Sequence, residues 1–188
     1  MPEVDAPTKN EIIIIYESLK IIGQIYADIW NVGCQLGLRI SDLLNIEFSH
    51  IDLDAHNTPI NLTLIETKTR KRHTIRINDN ALKVIRQRKA DNPHHQFLFQ
   101  VESNRQKGQA IHRNSVFNAF KKASATLDKN IGTHSMRKAK GMMMYEASVP
   151  IALIAKVLNH ASEACTLRYL GITKNEVLQS YDDFAVDM

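Results

Sequence analysis

Cysteine is scarce in this 188-residue sequence: Cys34 and Cys165 are too few for a disulfide scaffold and lack the paired spacing of a zinc site. Glycine and proline are also few, seven and five, and no linker, repeat or biased tract divides the chain, which excludes collagen-like and low-complexity architectures. The longest run of isoleucines, Ile12 to Ile15, falls far short of the ~20 apolar residues that span a bilayer. The opening residues MPEVDAPTKNE are acidic and precede no signal-like apolar stretch. There is no Gly-x-x-x-x-Gly-Lys phosphate loop and no carboxylate cluster at metal-ligand spacing. His94 and His95 are adjacent, so their side chains diverge on most backbones and make a poor metal pair. These shortages predict a protein of the reducing cytoplasm with no membrane span and no metal site.

Present instead is an ordinary globular balance, 44% hydrophobic and 23% charged. A chain this long buries about 70% of its unfolded surface, enough for one core. The net charge is +4, and four of the acids (Glu176, Asp182, Asp183, Asp187) lie in a tail free of Lys and Arg. The rest is therefore more basic than the sum suggests. Cations cluster at Lys68–Arg76, Lys83–Lys89, Lys121-Lys122 and Arg137–Lys140, a surface suited to a polyanion such as nucleic acid, although many basic helices are only solvated faces.

Periodicity predicts a mainly helical fold with one small antiparallel sheet, an α+β class. Ile12, Ile15, Leu19, Ile22, Tyr26 and Ile29 recur at helical steps, giving a helix over about 9–30, interrupted at Gly33 and Gly37. A second helix is expected over Arg39–Glu47, with Leu43, Leu44 and Ile46 inward. Period two then takes over: Ile60, Leu62 and Leu64 share one strand face, and His73, Ile75 and Ile77 another, flanking a basic tip. A third strand near Ile51–Leu53 is expected, since a lone hairpin is marginal. Further helices are expected over Asp79–Ala90, Asn114–Thr126, from a Thr133 cap to Ala147, from Pro150, and over Ser162–Leu170 closed by Gly171, with 91–112 a loop. Residues 174–188 have an amphipathic helical pattern, with Val177, Leu178, Tyr181 and Phe184 on one side.

Four segments carry chemistry. In Gly37-Leu38-Arg39-Ile40-Ser41-Asp42, the i,i+3 spacing lets a carboxylate hold a guanidinium, whose planar fork suits phosphate oxygens. Lys68, on the basic tip, is placed to hand a proton to a bound polyanion. His134 and Arg137, again i,i+3 at a helix start, join a titrating imidazole to a permanent cation. His160 precedes Tyr169, a candidate nucleophile for phosphorus. Taken singly, these read first as a surface salt pair, a solvated lysine, a capping histidine and a packed tyrosine.

Taken in order they resemble the catalytic domain of the tyrosine site-specific recombinases, the phage-integrase family. GLRISDLL is similar to that family's first-arginine box, ETKTRKRHTIRI to its lysine hairpin, HSMR to its His-x-x-Arg box, and LNHAS with RYLGI to its final His and Tyr boxes. The likeness runs from about residue 9 to 180. It departs at Arg70 and Asn159, where relatives often place glycine, and at Lys138. The resemblance implies the tyrosine recombinase catalytic-domain fold in a single domain over 1–188, with a flexible end over about 1–8 and without the usual N-terminal core-binding domain. It implies DNA cleavage and rejoining through a 3′-phosphotyrosine, without metal or ATP. On that reading Arg39 and Arg137 clamp the scissile phosphate, Tyr169 attacks, Lys68 protonates the leaving oxygen, His134 is the general base and His160 a donor to the phosphate. The partners implied are double-stranded DNA and further copies of the chain, a tetramer on DNA and a monomer without it, with the acidic tail docking on a neighbour or folding back in cis. A type IB topoisomerase-like nicking and resealing enzyme and a non-catalytic DNA-binding regulator are the competing readings.

Overall fold

A computed structural model describes residues 4–53, 59–103, 106–172 and 183. The expected tail helix therefore lies outside the described residues. The chain forms two compact units, Met1–Lys140 and Gly141–Met188.

The first unit opens with α1 (Lys9–Ile22), begun by a capping box in which Thr8 Oγ1 accepts the Glu11 N–H and Glu11 accepts the Thr8 N–H. The helix ends at Gly23, and α2 (Gln24–Leu36) starts immediately after. The sequence predicts one helix here, because the apolar steps run through the break. The chain instead folds back, so that Trp30 Nε1 donates to the Ile12 carbonyl at 3.0 Å. Gly33 does not interrupt α2 but lies inside it, and Gly37 closes the helix in the left-handed conformation, φ 66°. The short α3 (Ile40–Leu44) and a 3-10 turn (Phe48–His50) replace the single helix expected over 39–47, although Leu43, Leu44 and Ile46 are buried as predicted.

Strands β1 (Asn61–Ile65) and β2 (Arg72–Arg76) pair antiparallel with Leu62 opposite Ile75 and Leu64 opposite His73. No third strand joins them among the described residues, and Ile51–Leu53 is not extended into the sheet. The hairpin is supported by the helical core, into which Ile60, Leu62 and Ile77 are buried. Next come α4 (Asp79–Asp91), capped by Asn78, and a second hairpin of β3 (Gln100–Ser103) and β4 (Gln106–Ala110). That hairpin falls in the expected loop, where polar residues such as Gln100, Glu102 and Gln109 conceal any alternation. Then follow α5 (Arg113–Ala123) and α6 (Ser135–Glu146). Trp30 of α2 and Phe120 of α5 meet edge to face, centroids 5.0 Å apart, at the middle of this core. A buried ion pair, Arg88 Nη1 to Asp28 Oδ2 at 2.9 Å, holds α4 to α2.

The second unit takes the end of α6, then α7 (Ile151–Val157) and α8 (Glu163–Leu170) around Ile154, Leu158 and Leu170. Pro150 is the residue before α7 rather than its first, and Ser162 caps α8 by accepting the Cys165 N–H at 3.1 Å.

Candidate active site

The six residues singled out by sequence divide between the two units: Arg39, Lys68, His134 and Arg137 in the first, His160 and Tyr169 in the second.

Arg137 is the most deeply placed. It lies in the first turn of α6, 2% exposed, and its Nη1 donates to the Gly37 carbonyl at 2.9 Å. A guanidinium buried this way is held in one pose. The contact also ties α6 to the turn that carries Arg39, two residues past Gly37.

Arg39 departs from the sequence expectation. It is the cap of α3, in an extended conformation (φ −68°, ψ 148°), so it is not an i,i+3 helical neighbour of Asp42. The Arg39–Asp42 separation is 4.0 Å, and the close partner is Glu66, whose Oε2 lies 2.7 Å from Arg39 Nη1. Asp42 turns to the hairpin instead, where Oδ1 accepts the Thr67 N–H at 2.8 Å. Glu66 is completely buried. Strand alternation carries the signal for it: Ile60, Leu62 and Leu64 face inward, and the same parity points Glu66 inward, where a carboxylate needs a cation. His73 follows the same rule on β2; it is half-buried, with Nδ1 3.4 Å from Glu66 Oε1.

Lys68 is exposed on the tip. The turn is closed by Glu66 N–H to the Lys71 carbonyl at 3.0 Å and Arg70 N–H to the Glu66 carbonyl at 2.9 Å. Arg70 takes a left-handed conformation, φ 58°.

His134 stands immediately before α6, its carbonyl accepting the Lys138 N–H at 2.9 Å, so the helix starts after His134 rather than at a Thr133 cap. Burial lowers its pKa below the usual imidazole value, and Arg137, Arg113, Arg39 and Lys68 lower it further by repulsion. The repulsion comes from α6, the start of α5, the cap of α3 and the hairpin tip, and it favours the neutral imidazole. His73 is lowered likewise, by burial first, with Glu66 opposing and Arg137 and Arg39 reinforcing. Arg113, at the start of α5, escaped the sequence reading because it belongs to none of the recognised boxes.

In the second unit, His160 and Tyr169 pack ring edge to ring face, centroids 5.0 Å apart and planes at 76°. His160 Nδ1 is 2.9 Å from the hydroxyl of the buried Thr166, which also donates to the Ser162 carbonyl at 3.2 Å. Asn159 before it adopts φ 46°, a left-handed backbone that asparagine tolerates. Tyr169 lies in the last turn of α8, half-buried against the second core. Among the described residues no three His, Cys, Asp or Glu side chains gather as a metal site, and no helix is long and apolar enough to cross a membrane.

This is the catalytic-domain fold of the tyrosine recombinases. The crystal structure of XerA recombinase matches with a TM-score of 0.71 at 19% identity, over 100% of this chain and 66% of that one. The XerH recombinase, solved bound to palindromic difH substrate as a post-cleavage complex, matches with a TM-score of 0.75 at 14% identity, over 95% of this chain and 52% of that one. At these identities the likeness is one of fold. In sequence, a probable integrase/recombinase of Bacillus subtilis, YoeC, is 29% identical over 153 residues, covering 81% of this chain and 80% of the relative. The phage integrase family model matches residues 10–176, and the chain belongs to that family.

Proposed function

We propose that the chain cleaves and rejoins DNA strands at specific sites through a 3′-phosphotyrosine intermediate. The observation that carries the reading is the gathering of Arg39, Lys68, Arg137 and a neutral His134 in the first unit. Three cations supply charge where a pentacoordinate phosphate accumulates it, and an uncharged imidazole supplies a base.

On this reading Arg39 and Arg137 bind the non-bridging oxygens of the scissile phosphate. Arg137 is fixed by its bond to Gly37 before DNA arrives, so little reorganisation accompanies the reaction. The Tyr169 hydroxyl oxygen bonds to phosphorus as the bond from phosphorus to the 5′ oxygen breaks. The phenolic proton passes to His134, and Lys68 delivers a proton to the departing 5′ oxygen. A 3′-phosphotyrosine and a free 5′-hydroxyl result, and attack by a 5′-hydroxyl of another strand reverses the step. One phosphodiester replaces another, so neither ATP nor a metal is required. His160 is the further donor to the phosphate, and the 2.9 Å contact of its Nδ1 with the Thr166 hydroxyl orients the ring. The partner is double-stranded DNA, and the active assembly is a tetramer formed on it. The names of the Bacillus relative and the substrate complex of XerH support this reading.

The test is a nicked suicide substrate whose cleaved end diffuses away, incubated in EDTA. A covalent protein–DNA adduct that disappears in Tyr169→Phe is expected. An adduct surviving that substitution overturns the nucleophile, and loss of cleavage on chelation overturns the metal-free step. Relaxation of supercoiled DNA without strand exchange identifies a topoisomerase-like enzyme, and binding without any adduct identifies a regulator.

A further inference from the structure

Glu66 is a buried carboxylate that the reaction above does not use. It closes β1 at the root of the Lys68 turn, and its backbone N–H and carbonyl make the two bonds that shape that turn. Its side chain reaches the other way. Oε2 forms the 2.7 Å ion pair with Arg39 and accepts the Thr69 hydroxyl at 2.6 Å, while Oε1 faces His73 Nδ1 at 3.4 Å. From the opposite side, Asp42 takes the Thr67 N–H at 2.8 Å. The two residues flanking Lys68, Thr67 and Thr69, are thus each held by a carboxylate of the Arg39 neighbourhood.

A carboxylate with no exposure is stable only while its cation and donors stay in place. Arg39 and the docked turn are therefore mutually dependent: displacing either leaves Glu66 buried beside too few partners. We propose that Glu66 is a positioning residue that couples the two cations, so that the phosphate clamp at Arg39 and the proton donor at Lys68 are set in place as one unit. The inference rests on the proposed strand-cleavage reading and adds a mechanical link that reading does not need.

Two measurements test it. In the first, Glu66→Gln, which keeps the shape and removes the charge, is compared on two suicide substrates, one ordinary and one carrying sulfur in place of the 5′ bridging oxygen. A thiolate departs without a proton, so this substrate bypasses Lys68. Misplacing reacting groups by about 1 Å costs up to about 100-fold in rate, and a loss approaching that size is expected on the ordinary substrate. Sulfur should restore part of the loss in Glu66→Gln, most of it in Lys68→Ala and none in Arg39→Ala. Wild-type cleavage by Glu66→Gln, or a loss that sulfur leaves untouched, overturns the coupling, since a merely structural or Arg39-only role gives no sulfur rescue. The second needs no catalysis: amide hydrogen exchange at Glu66 and Arg70 should accelerate in Arg39→Met and in Thr69→Val. Unchanged exchange in both overturns the link. Wild type forming no adduct on either substrate, with the exchange coupling intact, refutes the strand-cleavage reading and leaves the link standing.

Discussion

His134 is the residue at which charge and chemistry meet most directly. Burial and repulsion from four cations hold its pKa below the ordinary value of 6.5, so at neutral pH the imidazole is uncharged, as the proposed role of base requires. Single-turnover adduct formation should be level around neutral pH and decline as pH falls below about 6.5, the usual histidine value; an acid limb with its inflection above that value excludes His134 as the base. The same shift bears on stability. His73 and His134 are both lowered, so as pH falls the unfolded chain takes up protons first, and the contribution present at neutral pH is lost below 6.5. Urea unfolding at pH 7.5 and 5.5 should show the lower midpoint at acid pH. Arg70 makes a second residue-scale case. A side chain at φ 58° carries left-handed strain of ~1–2 kcal/mol, against ~0.5–1 kcal/mol of extra chain entropy for glycine. Arg70→Gly should therefore stabilise the protein by about 0.5–1 kcal/mol, read as a rise in the unfolding midpoint. The departure from the family pattern at Arg70 was visible in the sequence; that it sits on a strained backbone was not.

At the scale of elements, the placement of Arg137 depends on how closely α6 approaches α2. A Cβ at Gly33 would collide with Met136 Sδ and press on Leu43 Cδ2 at 3.3 Å, and Met136 is fully buried. Gly33→Ala should cost about 1–3 kcal/mol by overpacking, even though alanine favours a helix by about 1 kcal/mol. It should also slow cleavage, since Met136 adjoins Arg137. Adding Met136→Ala should recover part of the stability, and thermal melts of the single and double variants check both statements. The first hairpin shows how element and core share the work. Its alternation was legible because one face meets hydrocarbon, whereas its support was not: helices, rather than a third strand, bury Leu62. Leu62→Ala should cost about 2–5 kcal/mol, the range of buried leucine truncations. The second hairpin was illegible because its strands are polar and are joined by backbone bonds that leave no trace in side-chain pattern.

For the molecule as a whole, the sign and distribution of charge make the strongest claim. A net charge of +4, with four of the twenty acids set apart in a tail free of Lys and Arg, suits phosphate contacts. If the proposed DNA contact engages 6–10 phosphates, affinity should fall about 10³–10⁵-fold between 50 and 200 mM salt. A fluorescence-anisotropy titration across that range measures the slope, and a flat response excludes a phosphate-dominated interface. The chain spans 80% of its Bacillus relative but 66% and 52% of the XerA and XerH chains.

Residue types, their order and their apolar periods were enough to point to the family, the predominance of helices and the first hairpin, and to nominate six candidate side chains, because these depend on local steps of two or 3.6 residues and on motif spacing. Tertiary structure alone decided which charges face each other. Arg39 pairs more closely with Glu66 than with Asp42, His73 enters the same neighbourhood, and the His134 pKa is lowered by burial and then by cations drawn from four separate stretches of chain. Electrostatic energy depends on distance through space and on the water excluded between groups, and neither quantity is written along the chain.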